Sequence, residues 1–170
     1  QEAFLLNDTV KNNILFGNDL DTDLYNKAVS YSQLEQDLRE LPGAEQTEIG
    51  ERGINLSGGQ KQRVLIARAI YAQQDINLID DSLSALDAYV GKKVFEGVFC
   101  GLWKNTTRVM TTHHLHILED PRIDRILFVD KGEIVCDGTF AQIKDVPRFQ
   151  QYCSEVKKDD NEEDKKEKEA

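Results

Sequence analysis

The string Leu56-Ser57-Gly58-Gly59-Gln60, followed downstream by the apolar run Ile76-Asn77-Leu78-Ile79 and the acidic pair Asp80-Asp81, constrains this chain more than any other feature. A Gly-Gly pair opening a helix leaves backbone N–H groups uncovered by side chains. The adjoining helix dipole adds partial positive charge, so the segment suits an anion such as a terminal phosphate. Ser57 can cap the helix while Gln60, three positions on, reaches back to the cap N–H, the reciprocal capping box. Beyond it Val64, Leu65, Arg68 and Ala69 recur at helical spacings, which predicts a rigid helix over 61–72. A short buried strand ending in carboxylates is where phosphoryl-transfer proteins hold Mg²⁺. The same residues also suit a capped helix that binds nothing and carboxylates that only cap the next turn.

With 170 residues the chain is long enough for one domain with a real core. No stretch approaches the roughly eighteen uninterrupted apolar residues of a membrane-spanning helix, so these residues are expected to be soluble. A net charge of -10 argues against a nucleic-acid partner, and Lys61 and Arg63 are too few to overturn it. Cys100, Cys136 and Cys153 are odd in number and widely spaced, which fits reduced thiols better than a disulfide framework or a zinc site. Nothing at the N-terminus resembles a signal peptide, and Gln1 is not a natural start, so the sequence is expected to begin mid-domain.

Along the chain, residues 1–17 read as a loop leading into a short helix with Val10, Ile14 and Leu15 on one face. Residues 18–73 read as a helical subdomain. Within it 21–41 forms a polar-rich helical stretch closed by Pro42-Gly43, and 47–53 a charged, glycine-punctuated loop. From 74 to 153 the pattern changes to strand-like runs at 76–79, 108–112 and 126–129 separated by helical segments, which implies a mostly parallel sheet flanked by helices. Asp130-Lys131-Gly132 signals a turn, so an antiparallel hairpin is expected to finish the sheet. Residues 154–170 are charged and nearly devoid of apolar side chains, and are expected to be a disordered linker.

Taken together, these strings resemble the nucleotide-binding domain of ABC transporters from its Q-loop onward. The likeness is to the first ATPase domain of the multidrug-resistance-associated (C) subfamily. The fold it implies is α/β, a partial P-loop NTPase (RecA-like) with a mostly parallel sheet and a helical signature subdomain. No Gly-x-x-x-x-Gly-Lys-Ser/Thr string is present, so the Walker A portion is lacking. By the resemblance, Leu56, Ser57, Gly58, Gly59 and Gln60 are the signature that contacts ATP, and Asp87 belongs to the D-loop Ser84-Ala85-Leu86-Asp87 at a domain interface. Gln1 matches the Q-loop glutamine and, with Asp80 of Walker B, is implied as a Mg²⁺ ligand. Asp81 stands where the family usually has a catalytic glutamate, and His113 matches the switch histidine. Asn77 within the strand and Ser82 in place of a usual proline depart from the pattern.

The cofactors so implied are ATP and Mg²⁺. The implied partners are a second nucleotide-binding domain and the transmembrane domains of an exporter, which places this domain on the cytosolic face of a membrane. The segments after Gln1 and at 47–53 resemble the loops that touch those domains, although a charged surface loop is the other reading of 47–53. In isolation these residues are expected to bind ATP poorly. His113, His114 and His116 could suggest a metal, but alternation along a strand would point neighbours to opposite faces. A nucleotide-gated regulatory module and a soluble ABC ATPase are the alternative functions.

Overall fold

The computed structural model describes residues 4–50 and 54–156, and the chain divides into two units, Gln1–Thr112 and His113–Ala170. In the first unit, polar side chains fix where helices start. Thr9 accepts the Asn12 N–H at 3.0 Å and opens α1 (Val10–Leu15); Asp21 accepts the Leu24 N–H at 3.0 Å and opens α2 (Thr22–Tyr31). A separate helix, α3 (Glu35–Glu40), follows. The stretch expected as one helix over 21–41 is thus two, because Gln33 adopts a left-handed φ of 62°. Leu34 N–H then bonds back to the Val29 carbonyl at 3.0 Å, and the turn carries Leu34 into the core.

Before α1, β1 (Asp8–Thr9) pairs antiparallel with β2 (Glu48–Ile49), and the Val10 N–H extends the ladder to the Thr47 carbonyl at 3.0 Å. The capped helix α4 (Gly58–Ala72) buries Val64, Ala67, Ile70 and Tyr71, and α1 and α2 pack on it. Val10 and Ile14 of α1 are fully buried there, each contributing about 1.5–3 kcal/mol relative to exposure. Of the helical set Val64, Leu65, Arg68 and Ala69, only Val64 lies in the core, and the others are half-buried. Leu65 and Ala69 line a cleft on a second side of α4.

Next, β3 (Ile76–Asp80) and β4 (Thr107–Thr111) pair in parallel, from Ile76 opposite Thr107 to Asp80 opposite Thr111. The crossover between them runs through α5 (Ala88–Val94) and π-helical turns over Phe95–Leu102. Asn77 is buried, and its amide donates to the Gln74 carbonyl and the Thr106 hydroxyl at 3.2 and 3.1 Å. A satisfied Asn77 shares the buried face with Ile79, so Ile76, Leu78 and Val109 stay exposed; the strand expected to be buried is buried on one face only. Among the described residues this is the parallel pair, and the other two ladders are antiparallel.

The second unit contains α6 (Leu115–Leu118), β5 (Ile126–Asp130), β6 (Glu133–Gly138), α7 (Phe140–Ile143) and helical residues 147–156. β5 and β6 form the expected hairpin, with Lys131 and Gly132 at φ 50° and 82°. Two successive positive φ values make the turn whose twist matches paired strands, and they draw β5 to β6. Ile126, Ile143 and Phe149 form the core, with Phe128 and Phe140 edge-on to Phe149 at 5.4 and 6.2 Å. The linker expected from 154 starts as helix. Residues 154–156 continue that segment, held by Ser154 Oγ donating to the Gln150 carbonyl and Gln151 donating to Glu155, at 2.9 and 2.8 Å. The rest of the linker, 157–170, lies outside the described residues. Among the described residues no helix is long and apolar enough to cross a membrane.

Candidate functional site

The start of α4 is built as the sequence predicts. Ser57 Oγ accepts the Gln60 N–H at 3.2 Å, and Gln60 Oε1 accepts the Ser57 N–H at 3.0 Å. Leu56, just before the cap, is buried and anchors the entry. Gly58 and Gly59 are the first two helical residues, whose N–H groups have no acceptor within the helix. The two glycines answer different demands. A Cβ at Gly58 would meet nothing within 4 Å, so the approach to this end is open, whereas one at Gly59 would lie 3.1 Å from the Ala85 carbonyl. Gly59 therefore lets the helix start approach the 84–87 turn closely.

One turn into α4, Arg63 donates from Nε and Nη2 to the two carboxylate oxygens of Asp37 on α3, at 2.7 and 2.8 Å. Gln60 Nε2 donates to the same Asp37 Oδ1 at 3.2 Å.

Asp80 and Asp81 stand at the C-terminal end of β3, and Thr111 braces both. Its hydroxyl donates to Asp80 Oδ1 at 2.6 Å and accepts the Asp81 N–H at 3.1 Å; the Asp81 N–H also reaches the Thr111 carbonyl at 3.1 Å. Asp80 is exposed, and Asp81 is half-buried with a left-handed φ of 44°. Aspartate tolerates that region better than most residues. Ser84 Oγ fixes the following turn by donating to the Asp81 carbonyl at 2.8 Å. Asp87 is the N-cap of α5, accepting the Tyr89 and Val90 N–H groups at 3.1 and 3.0 Å. A cleft of about 740 Å³ joins these elements, with Gln62, Leu65 and Ala69 on one wall and Asp80, Asp81 and Ala85 on another.

Gln1 lies outside the described residues, as do 51–53 of the charged loop. The described part of that loop meets the segment that follows Gln1 in the β1–β2 ladder. Gly50 has φ 105°, and a Cβ there would sit 2.2 Å from Asn7 Oδ1, so only glycine fits. His113 opens the second unit, where its ring lies 4.4 Å from that of His114, which is 5.5 Å from His116. The opposite-face expectation for these histidines does not hold, because β4 ends at Thr111 and strand alternation stops there.

Sequence reasoning missed three supports: Thr111, Asp37, and Asn13 of α1, whose carbonyl and Oδ1 accept from Arg68 of α4 at 2.7 and 3.0 Å. The signal for Thr111 is its register opposite Asp80 in a parallel pair. No local pattern marks the other two.

A family model described as "ABC transporter" matches residues 1–84. The chain is 52% identical over 143 residues to "ABC transporter C family member 8" of Dictyostelium discoideum, covering 82% of this chain and 9% of that protein. It is 44% identical over 163 residues to "ABC-type transporter cicA" of Emericella nidulans, covering 95% of this chain and 12% of that protein. It is 45% identical over 147 residues to "ATP-binding cassette sub-family C member 2" of Mus musculus, covering 85% and 9%. The chain thus spans about a tenth of the length of these curated relatives. Motif order, the capped glycine pair at the start of α4 and these identities converge: the chain belongs to the ABC transporter family, ATP-binding domains of P-loop NTPase fold, with its likeness among the C-family members.

Proposed function

We propose that this chain is the signature-bearing part of a nucleotide-binding domain that powers an exporter by ATP-driven pairing with a second such domain. The observation that carries this reading is the start of α4. The capping box consumes the Ser57 and Gln60 N–H groups, and the Gly58 and Gly59 N–H groups remain for an anion approaching from the open side. Leu56 to Gln60 would close over the terminal phosphate of an ATP seated on the partner domain. The α- and β-phosphates would be cradled by a Gly-Lys-Ser/Thr loop that these residues do not contain. Asp87 would lie at the interface between the two domains.

In the other composite site, Asp80 and Gln1 would hold Mg²⁺. The donor set suits that ion: a hard carboxylate oxygen, exposed at a strand end and held by the Thr111 hydroxyl. Bound there, the metal would neutralise charge on the phosphoryl oxygens. Asp81 would orient the attacking water and take its proton, and His113 would donate a hydrogen bond to the γ-phosphate. Aspartate is shorter than glutamate by about one C–C bond, roughly 1.5 Å, so turnover in this site is slow and the partner's site carries most hydrolysis. Loss of the γ-phosphate removes the bridge between the domains and lets them part. The β1–β2 ladder would pass that motion to the transmembrane domains, with this domain on the cytosolic face.

Ser57→Arg or Gly59→Asp places bulk or negative charge at the open end of α4 and should abolish ATP-driven transport by the full-length protein. Wild-type transport in either variant overturns the assignment. Asp81 in the glutamate position favours a second reading, a nucleotide-gated module with little turnover. Phosphate release that depends on residues 56–60 in the full-length protein decides for the pump.

A further inference from the structure

We propose that Asp37 is a positioning residue for the signature, fixing through Gln60 the set of donors that α4 presents to phosphate. This rests on the reading of Leu56 to Gln60 given above. The Gln60 side chain is held at both ends: Oε1 accepts the Ser57 N–H at 3.0 Å, and Nε2 donates to Asp37 Oδ1 at 3.2 Å. An ionised carboxylate only accepts, and a backbone N–H only donates. Asp37 therefore selects the one amide orientation that satisfies Ser57. The opposite orientation would set two donors against each other at the cap.

That selection decides what is left over for a ligand. With its N–H closed by Gln60 Oε1 and its Oγ accepting the Gln60 N–H, Ser57 can offer only its hydroxyl hydrogen outward, beside the Gly58 and Gly59 N–H groups. Asp37 cannot drift, because the Arg63 fork binds both of its oxygens at 2.7 and 2.8 Å and the side chains are 10% and 14% exposed. A Cβ at Gly59 would sit 3.5 Å from Arg63 Nη1, so the same guanidinium also lies beside Gly59. One carboxylate on α3, held by Arg63 and touching Gln60, thus governs the geometry of donors that Asp37 does not itself supply.

The test measures ATP hydrolysis by the full-length transporter as KM and kcat, alongside its thermal unfolding. Asp37→Ala should raise the KM for ATP about tenfold, the scale of one hydrogen bond to a charged group, with kcat at saturating ATP within about twofold. A merely structural Asp37 would lower the amount of active enzyme and the unfolding temperature, and leave KM unchanged. Unchanged KM overturns the proposal. Should Asp37→Ala not accumulate, Asp37→Glu carries the test, since it keeps the charge and displaces the acceptor: KM should rise about threefold or more, and an unchanged value overturns the proposal equally. Gly59→Asp, assayed in parallel, separates the two layers. If Gly59→Asp hydrolyses and transports normally, the reading of the signature falls; if it is inactive while Asp37→Ala keeps its KM, only the positioning role falls.

Discussion

Arg68 on α4 donates from Nε to the Asn13 carbonyl at 2.7 Å and from Nη2 to Asn13 Oδ1 at 3.0 Å. Asn13 is fully buried in α1, where its amide donates to the Leu6 and Thr9 carbonyls at 3.0 Å each and its Oδ1 also accepts the Leu6 N–H at 2.8 Å. Arg68 Nη1 adds the Phe4 carbonyl at 3.0 Å, and the guanidinium lies 4.3 Å from the Phe16 ring centroid. One side chain on the signature helix thus ties down most of the segment from Phe4 to Phe16. Burial lowers the Arg68 pKa from its ordinary value, yet a guanidinium remains charged and keeps its fork.

Arg68→Lys should therefore destabilise the domain, because a single ammonium cannot reach three acceptors and leaves Asn13 under-satisfied. A loss of about 2 kcal/mol is expected, from one or two charge-assisted bonds in a partly buried setting. Chemical denaturation of the wild-type and variant full-length proteins, followed by a probe in this domain, measures it. A change below about 0.5 kcal/mol, the size of an ordinary surface substitution, would remove Arg68 from this role.

The Ser57–Gln60 box was legible because both partners lie within one helical turn, where sequence spacing is spatial distance. The parallel pairing of β3 with β4 was legible for a related reason, since a helical segment between two strand-like runs forces a crossover. Asp37 and Arg63 are 26 residues apart, Asn13 and Arg68 are 55 apart, and Thr111 lies 31 residues beyond Asp80. Those pairings are set by how elements pack, which leaves no periodic trace. Gln33 escaped for another cause. A left-handed turn at glutamine carries no Gly or Pro to announce it, and the burial of Leu34 that accompanies it is a property of the assembled core.

Thr111 is best probed by valine, which preserves the β-branched shape that suits β4 and removes the hydroxyl. The Asp81 N–H retains the Thr111 carbonyl, so the turn after β3 should persist. Asp80 loses the bond that holds its carboxylate. If Asp80 holds Mg²⁺ in the full-length transporter, Thr111→Val should raise the Mg²⁺ concentration for half-maximal hydrolysis about tenfold, as lost support of a ligand typically does. An unchanged Mg²⁺ dependence with normal folding would separate Thr111 from metal binding.

In the second unit, Asp120 sits beside Arg122, which donates from Nε and Nη2 at 2.8 and 2.7 Å. Hydrogen bonding from Arg122 holds the Asp120 carboxyl down at about 2. A carboxyl lowered by folding contributes stability that is present above its unfolded pKa, near 3.9, and is lost as pH falls through the folded value. The window is therefore about pH 4 to pH 2. Arg122 is nearly half exposed and only two residues away, so solvent screening and residual pairing in the unfolded chain should reduce the contribution to below about 1 kcal/mol. Asp120→Asn should remove that small increment of stability at every pH above about 4, flatten the acid limb slightly in that window, and leave the slope of the profile above about pH 5 unchanged. A carboxyl titration by NMR that placed Asp120 near 4 would refute this.

Asp81→Glu tests the division of labour between the two composite sites. If Asp81 is the weak base of this domain, lengthening it by one methylene should bring the carboxylate to the attacking water and raise ATP hydrolysis by the full-length transporter. A gain of about ten- to a hundredfold in this site is expected, the cost generally attached to a displacement on the ångström scale. The substitution has an opposing effect. Position 81 holds φ at 44°, which aspartate accommodates better than glutamate, so the faster variant should also unfold at a lower temperature. The combination is the diagnostic: higher phosphate release with reduced thermal stability follows from a base that is too short on a backbone that favours it. An unchanged or lower rate in properly folded protein would mean that reach is not what limits this site.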